Sequence, residues 1–136
     1  MLLFDAGVWI AAVDPEDRYH SCSRRLVLAC TPAAALDLTL YEVANVLGAR
    51  KQRHDLAERI CRSILARCGE HVVQIDAERT ADIVAAIAEH RLTAYDAAYV
   101  AAARRYSWTL ISTDVKDLVS RGLAVRPDDA AVQPSE

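Results

Sequence analysis

Glycine, proline and cysteine each occur only four times in 136 residues, and aromatic side chains make up 6% of the chain. So little glycine and proline excludes a collagen-like or low-complexity polypeptide and leaves few places where regular structure has to break. The cysteines, Cys22, Cys30, Cys61 and Cys68, form no C-x-x-C pair, and His20, His54, His71 and His90 are scattered without ligand spacing. A disulfide framework and a Cys/His zinc site are thereby set aside, leaving reduced thiols in a core. No apolar run is long enough to span a bilayer, and the start MLLF is broken by Asp5 with no basic residue ahead of it, so no membrane association is expected and a cytoplasmic location is. Lysine is scarce as well: of sixteen basic residues only Lys51 and Lys116 are not arginine, and the net charge is −3. That balance excludes a broad basic surface holding nucleic acid by counterion release alone, so a polyanion has to be met locally. The arginine bias either suits bidentate phosphate contacts or follows genome base composition.

What the chain does have is a 53% hydrophobic share dominated by Ala, Val, Leu and Ile, the composition of helices packed on short buried strands. Its length fits one compact domain, expected over residues 1–126, with PDDAAVQPSE, residues 127–136, as a solvated C-terminal tail. Short apolar segments, LLF, Ala34 to Leu38, VVQI, TLIS and LAVR, alternate with stretches of helical spacing. The helical stretches are VWIAAV, Glu16 to Cys30, the segment after Thr39, Leu56 to Cys68, Ala77 to His90, Ala94 to Tyr106 and Val115 to Ser120. Strands that are apolar without alternation belong to parallel sheets covered on both faces, which predicts an α/β fold with three layers, α/β/α, around a short central parallel sheet.

In such sheets ligands gather at the carboxyl ends of the strands. Asp5 follows LLF directly and Asp114 follows TLIS closely, while T-L-Y-E and T-A-Y-D place Glu42 and Asp96 in what reads as the first turn of a helix. Both tetrapeptides are also capping boxes or near relatives of one, so capping alone explains Glu42 and Asp96, and Asp114 reads equally as an N-cap. Asp5 resists that explanation, because a carboxylate in so apolar a stretch is costly to desolvate without a cation or a hydrogen-bond network. Carboxylates brought together repel one another, and hard oxygen ligands select Mg²⁺ or Mn²⁺, ions that complete their shells with water and substrate phosphate. Two such ions about 3.5–4 Å apart activate water and steady the leaving oxygen, so no side-chain nucleophile is required. No Ser/His/Asp or Cys/His constellation is apparent in the chain.

The phrases LLFDAGVWIAA, LTLYEVANVL, HRLTAYDAAYVAAA and LISTDVKDL followed by GLAVR, in this order and spacing, resemble the PIN domain, and in particular the VapC-type toxins of bacterial toxin–antitoxin pairs. The resemblance spans nearly the whole chain. It implies that Asp5, Glu42, Asp96 and Asp114 are the acidic, metal-binding and catalytic set, with Ser112 the hydroxyl residue before the last acid and Asn45 a polar support one helical turn beyond Glu42. Asp117 either adds to the charge near Asp114 or is a solvated helix residue. The resemblance further implies Mg²⁺ or Mn²⁺ dependence, endonucleolytic cleavage of RNA, a homodimer, and inhibition by a cognate antitoxin lying in the active-site groove. Ala6 departs from the pattern, standing where many relatives carry Ser or Thr.

Arg50, Lys51, Arg53 and His54 form the densest basic run and Arg104-Arg105 a smaller one; each is a candidate phosphate contact, or a solvated face. Trp9 and Tyr41 flank two of the acids and are candidates for stacking on a base, though core packing is the expectation for both. Two rival readings are a receiver-like Mg²⁺-binding signalling module and an inert PIN-fold binding module. A receiver asks for paired acids after the first strand and a late Lys, whereas one acid follows LLF and Lys116 falls in an expected helix. A haloacid-dehalogenase-type phosphatase asks for D-x-D there, where this chain has Asp5-Ala6-Gly7.

Overall fold

The computed structural model describes residues 1–30 and 32–130. In chain order its elements are β1 (Leu2–Phe4), α1 (Ala6–Ala11), α2 (His20–Ala29), β2 (Ala35–Leu36), α3 (Asp37–Val43), α4 (His54–Cys68), β3 (Val72–Val73), α5 (Ala77–His90), α6 (Ala94–Tyr106) and β4 (Thr109–Ile111). Wide π-helical turns continue α3 over Ala44–Arg50 and follow β4 over Val115–Val119.

β1 pairs with β4 in parallel, Leu3 opposite Leu110 and Phe4 opposite Ile111, and β2 pairs with β3 in the same sense. A parallel bridge between Leu3 and Ala34 joins the two pairs, and a second bridge sets Val125 beside Ile111. The order across the sheet is therefore β3, β2, β1, β4 and Val125. The expected strand LAVR is reduced to that single bridge.

Strand residues alternate between two apolar clusters. Leu2, Phe4 and Ile111 pack with Val8, Trp9, Leu26, Val43, Leu47 and Ile64 from α1 to α4 and the turn after α3. Leu3 and Leu110 pack with Ala86 of α5, with Ala97, Val100 and Ala101 of α6, and with Leu118. Both faces of the sheet are thus covered, giving the three-layer α/β/α arrangement read from the unalternating strands. Alanines on the buried side of α6 let that helix lie close to the sheet and to α5. With glycine so scarce, α5 and α6 end in the left-handed conformation at Arg91 and Ser107 instead.

Several expected boundaries move. α2 begins at His20 rather than Glu16, because Asp14 and Asp17 accept the backbone N–H groups of Glu16 at 3.0 Å and Tyr19 at 2.8 Å and hold that stretch in turns. Gly48, Ala49 and Arg50 belong to the π-helical extension of α3. Pro127 is buried and Ala130 packs on the first cluster, so the chain stays attached to the body past the expected boundary at 126. The rest of the expected tail, 131–136, lies outside the described residues. Among the described residues all four cysteines are free thiols, and no helix is long and apolar enough to cross a membrane.

Candidate active site

Two adjacent parallel strands deliver the first group of polar side chains. β1 runs into Asp5, whose N–H donates to Ile111 O at 3.1 Å, and β4 runs into Ser112, Thr113 and Asp114. The Asp5 side chain is buried. Its Oδ1 accepts the N–H of Val8 at 3.1 Å, so Asp5 is the N-cap of α1, contrary to the expectation that it escapes a capping role. Its Oδ2 accepts the Ser112 hydroxyl at 2.5 Å, and Ser112 Oγ in turn accepts the N–H of Asp114 at 3.0 Å. Ser112, itself buried, therefore couples the ends of the two strands. Burial pushes the Asp5 carboxyl up to about 7; the Ser112 and Val8 hydrogen bonds oppose that rise, and the charges of Glu42 and Asp96 add to it.

Glu42 does not sit where the capping-box reading put it. α3 starts at Asp37, two residues before Thr39, because Asp37 ties its own end of the sheet together: Oδ1 accepts Leu38 N–H at 2.8 Å and Oδ2 accepts Ile75 N–H at 3.0 Å. Thr39 is thus inside the helix, its Oγ1 accepting the N–H of Leu36 at 3.1 Å, and Glu42 falls in the second turn with no capping role. Its Oε1 accepts the hydroxyl of Tyr99 at 2.8 Å. Burial raises the Glu42 carboxyl above the usual range, the Tyr99 hydrogen bond opposes the rise, and the charge of Asp96 adds to it.

Asp96 occupies the first turn of α6 as expected, its N–H donating to Thr93 Oγ1 at 3.2 Å. Asp114 caps the turn after β4 by accepting Asp117 N–H on Oδ1 at 2.9 Å. Asp96, Asp114 and Asp117 each offer a carboxylate oxygen, and these oxygens lie within 4.8 Å of one another. Asp117 thus faces the group instead of being a purely solvated residue. Burial raises the Asp96 carboxyl, and the charges of Asp114 and Asp117 raise it further. Asp96 is the common neighbour, acting electrostatically on Asp5 and Glu42 and sharing the oxygen cluster with Asp114 and Asp117. Among the described residues no ion pair reaches any of these five acids. Oxygen donors alone, gathered against their own repulsion and lacking a basic partner, form a set that fits a hard divalent cation.

Other residues singled out in the sequence fall elsewhere. Asn45 is exposed, and among the described residues no hydrogen bond joins it to the acids. Lys51 pairs with Asp14 at 3.1 Å, whereas Arg50 and Arg53 are exposed. Arg104 pairs with Glu89, and Arg105 with Glu78 and Asp82, each at 2.8 Å, so the second basic pair is engaged in holding α6 to α5. Trp9 is in the core, edge-on to Phe4 with ring centroids 5.6 Å apart. Tyr41 is instead exposed, against the expectation of burial.

Three contributors went unread in the sequence. Tyr99 and Thr39, whose hydroxyls meet at 2.8 Å, are signalled only by lying one helical turn from Asp96 and Glu42 respectively. Gly7 is the third. A Cβ there would meet Thr113 Oγ1 at 2.2 Å and Asp5 Oδ1 at 3.3 Å, so the close approach of the β4 loop to α1 needs a residue without a side chain.

A family model described as the PIN domain matches residues 2–119. Ribonuclease VapC3 of Pyrobaculum aerophilum is 34% identical over 117 residues, covering 83% of this chain and 88% of that protein. Among solved structures, VapC20 of Mycobacterium tuberculosis, described as a sarcin–ricin loop cleaving toxin, superposes with a TM-score of 0.73 at 18% identity, covering 92% of this chain and 97% of that one. A chain from a toxin–antitoxin complex of Klebsiella pneumoniae gives a TM-score of 0.71 at 20% identity, covering 93% and 98%.

Proposed function

The chain belongs to the PIN-domain family and is of the VapC type, and on that premise we propose that it is a metal-dependent endoribonuclease, the toxin of a type II toxin–antitoxin pair. The observation that carries the reading is the convergence on Asp96 of acids from three separate segments: Asp5 and Glu42 through their charges, and Asp114 and Asp117 through oxygens within 4.8 Å. Asp5, Glu42, Asp96 and Asp114 hold Mg²⁺ or Mn²⁺, with Asp117 added to the set. A divalent ion bound there lowers the pKa of water and neutralises charge on the phosphodiester. The chain's own groups do the rest. Ser112 fixes Asp5 Oδ2 and the backbone of Asp114 together, and the α1 N-terminus and Val8 N–H fix Oδ1. The free protein is left with a repelling group of carboxylates that a cation relieves.

RNA reaches the site past Arg50 and Arg53, which are free of ion pairs among the described residues, in preference to Arg104 and Arg105, which are committed to α5. A protein partner, the cognate antitoxin or the second subunit of a homodimer, is supported by the exposed Tyr41, Ile75, Val84 and Tyr95 around a groove of about 460 Å³ that Asp37 also lines. RNA makes the cytoplasm the place of action.

Cleavage of RNA by wild-type protein and Asp96→Asn, each with and without Mn²⁺, tests the assignment. The expected result is cleavage that requires the ion and falls about a hundredfold or more in the variant. Equal cleavage by both proteins points to a contaminating nuclease and returns the chain to an inert PIN-fold binding module.

A further inference from the structure

Among the described residues the Glu42 side chain caps no helix and accepts no backbone N–H, and a three-rotor side chain has no intrinsic reason to stay in place. The structure supplies a reason. Leu36 N–H donates to Thr39 Oγ1 at 3.1 Å, the Thr39 and Tyr99 hydroxyl oxygens are 2.8 Å apart, and Tyr99 donates to Glu42 Oε1 at 2.8 Å. Because Tyr99 spends its single proton on the carboxylate, the Thr39 hydroxyl must be the donor between the two, which gives the chain one direction, from the end of β2 to Glu42. Thr39 and Tyr99 are buried, so no solvent competes for these bonds. Thr39 lies one turn before Glu42 on α3, and Tyr99 one turn after Asp96 on α6, so the relay also locks together the two helices that carry those acids.

We propose that Tyr99 and Thr39 are positioning residues for cation binding, holding Glu42 by Oε1 so that Oε2 is presented to the metal beside Asp96. The inference rests on Glu42 being a cation ligand.

Calorimetric titration of Mn²⁺ into wild type, Tyr99→Phe, Thr39→Val, Thr39→Ser, Glu42→Gln and the double variant Glu42→Gln/Tyr99→Phe tests it. Tyr99→Phe keeps the buried ring and loses only the hydroxyl. The expectation is that Tyr99→Phe and Thr39→Val each weaken Mn²⁺ binding about tenfold, that Thr39→Ser restores it, and that Tyr99→Phe costs nothing further once Glu42→Gln is present. Wild-type affinity in Tyr99→Phe overturns the proposal. So does an additive loss in the double variant, or a drop in melting temperature in chelator without a change in affinity, since each makes the hydroxyls merely structural. Failure of the wild type to bind Mn²⁺, or full affinity in Glu42→Gln, overturns instead the assignment of Glu42 on which the relay depends.

Discussion

Replacing Asp5 by Asn removes the most strongly desolvated charge in the group while keeping its shape. In the metal-free protein the Asp5 carboxyl is raised from 3.8 to about 7. Between those values the folded protein holds a proton that the unfolded chain releases, so stability falls as pH rises through the window, by about 1.4 kcal/mol per pH unit. Above pH 7 the accumulated cost is about 4 kcal/mol, and at pH 5 it is still under about half of that. Asn carries no such cost but has one acceptor oxygen where Asp5 serves both Ser112 and Val8, which costs about 1 kcal/mol at either pH. Asp5→Asn is therefore expected to be about 3 kcal/mol more stable than wild type at pH 8 in chelator, or roughly 10 °C in melting temperature for a domain of this size. At pH 5 the gap closes to under about 1 kcal/mol. Thermal unfolding by circular dichroism at the two pH values reads both numbers. Saturating Mn²⁺ is expected to reverse the order, since only the wild type gains the full binding energy. A variant no more stable than wild type at pH 8, or a gap of the same size at pH 5, refutes the reasoning that Asp5 is held ionised at a cost.

Gly7→Ala is expected to cost about 1–3 kcal/mol by driving Thr113 Oγ1 away from α1, and Thr113→Ala in the same protein to recover most of it; additive losses in denaturant unfolding count against the close approach. Arg50→Ala/Arg53→Ala is expected to raise KM for RNA and flatten its salt dependence, whereas Arg104→Ala/Arg105→Ala lowers melting temperature and leaves the salt slope alone.

The long elements were legible because their signals are local. α5 and α6 adopt the bounds their sequence predicts, since periodicity marks both and the Thr93 cap marks the start of α6. Three layers followed from strands with no polar face. The functional acids were legible as residues but not as parts of structure. T-L-Y-E has the spacing of a capping box, yet α3 starts earlier because Asp37 bonds to the end of β3, a partner 38 positions away. Conversely, Asp5 caps α1, a role its apolar surroundings did not signal, whereas Asp114 caps the turn after β4 as its N-cap reading allowed. Tyr99 was invisible as a polar residue, since on an apolar helix face a tyrosine reads as packing until its hydroxyl has an address. Tyr41, by contrast, is exposed and lines the groove beside α5 and α6. The strand LAVR shrank to one bridge because Val125 alone pairs at the edge of the sheet.

Diffraction from Mn²⁺-soaked crystals at the manganese absorption edge locates the ion without reference to activity. We expect anomalous density among the carboxylates, with oxygens of Asp96 and at least two of Asp5, Glu42, Asp114 and Asp117 at about 2.0–2.3 Å from a peak. Density found only at other surface acids, with the Asp96 group bare at saturating Mn²⁺, removes the metal site and with it the nuclease.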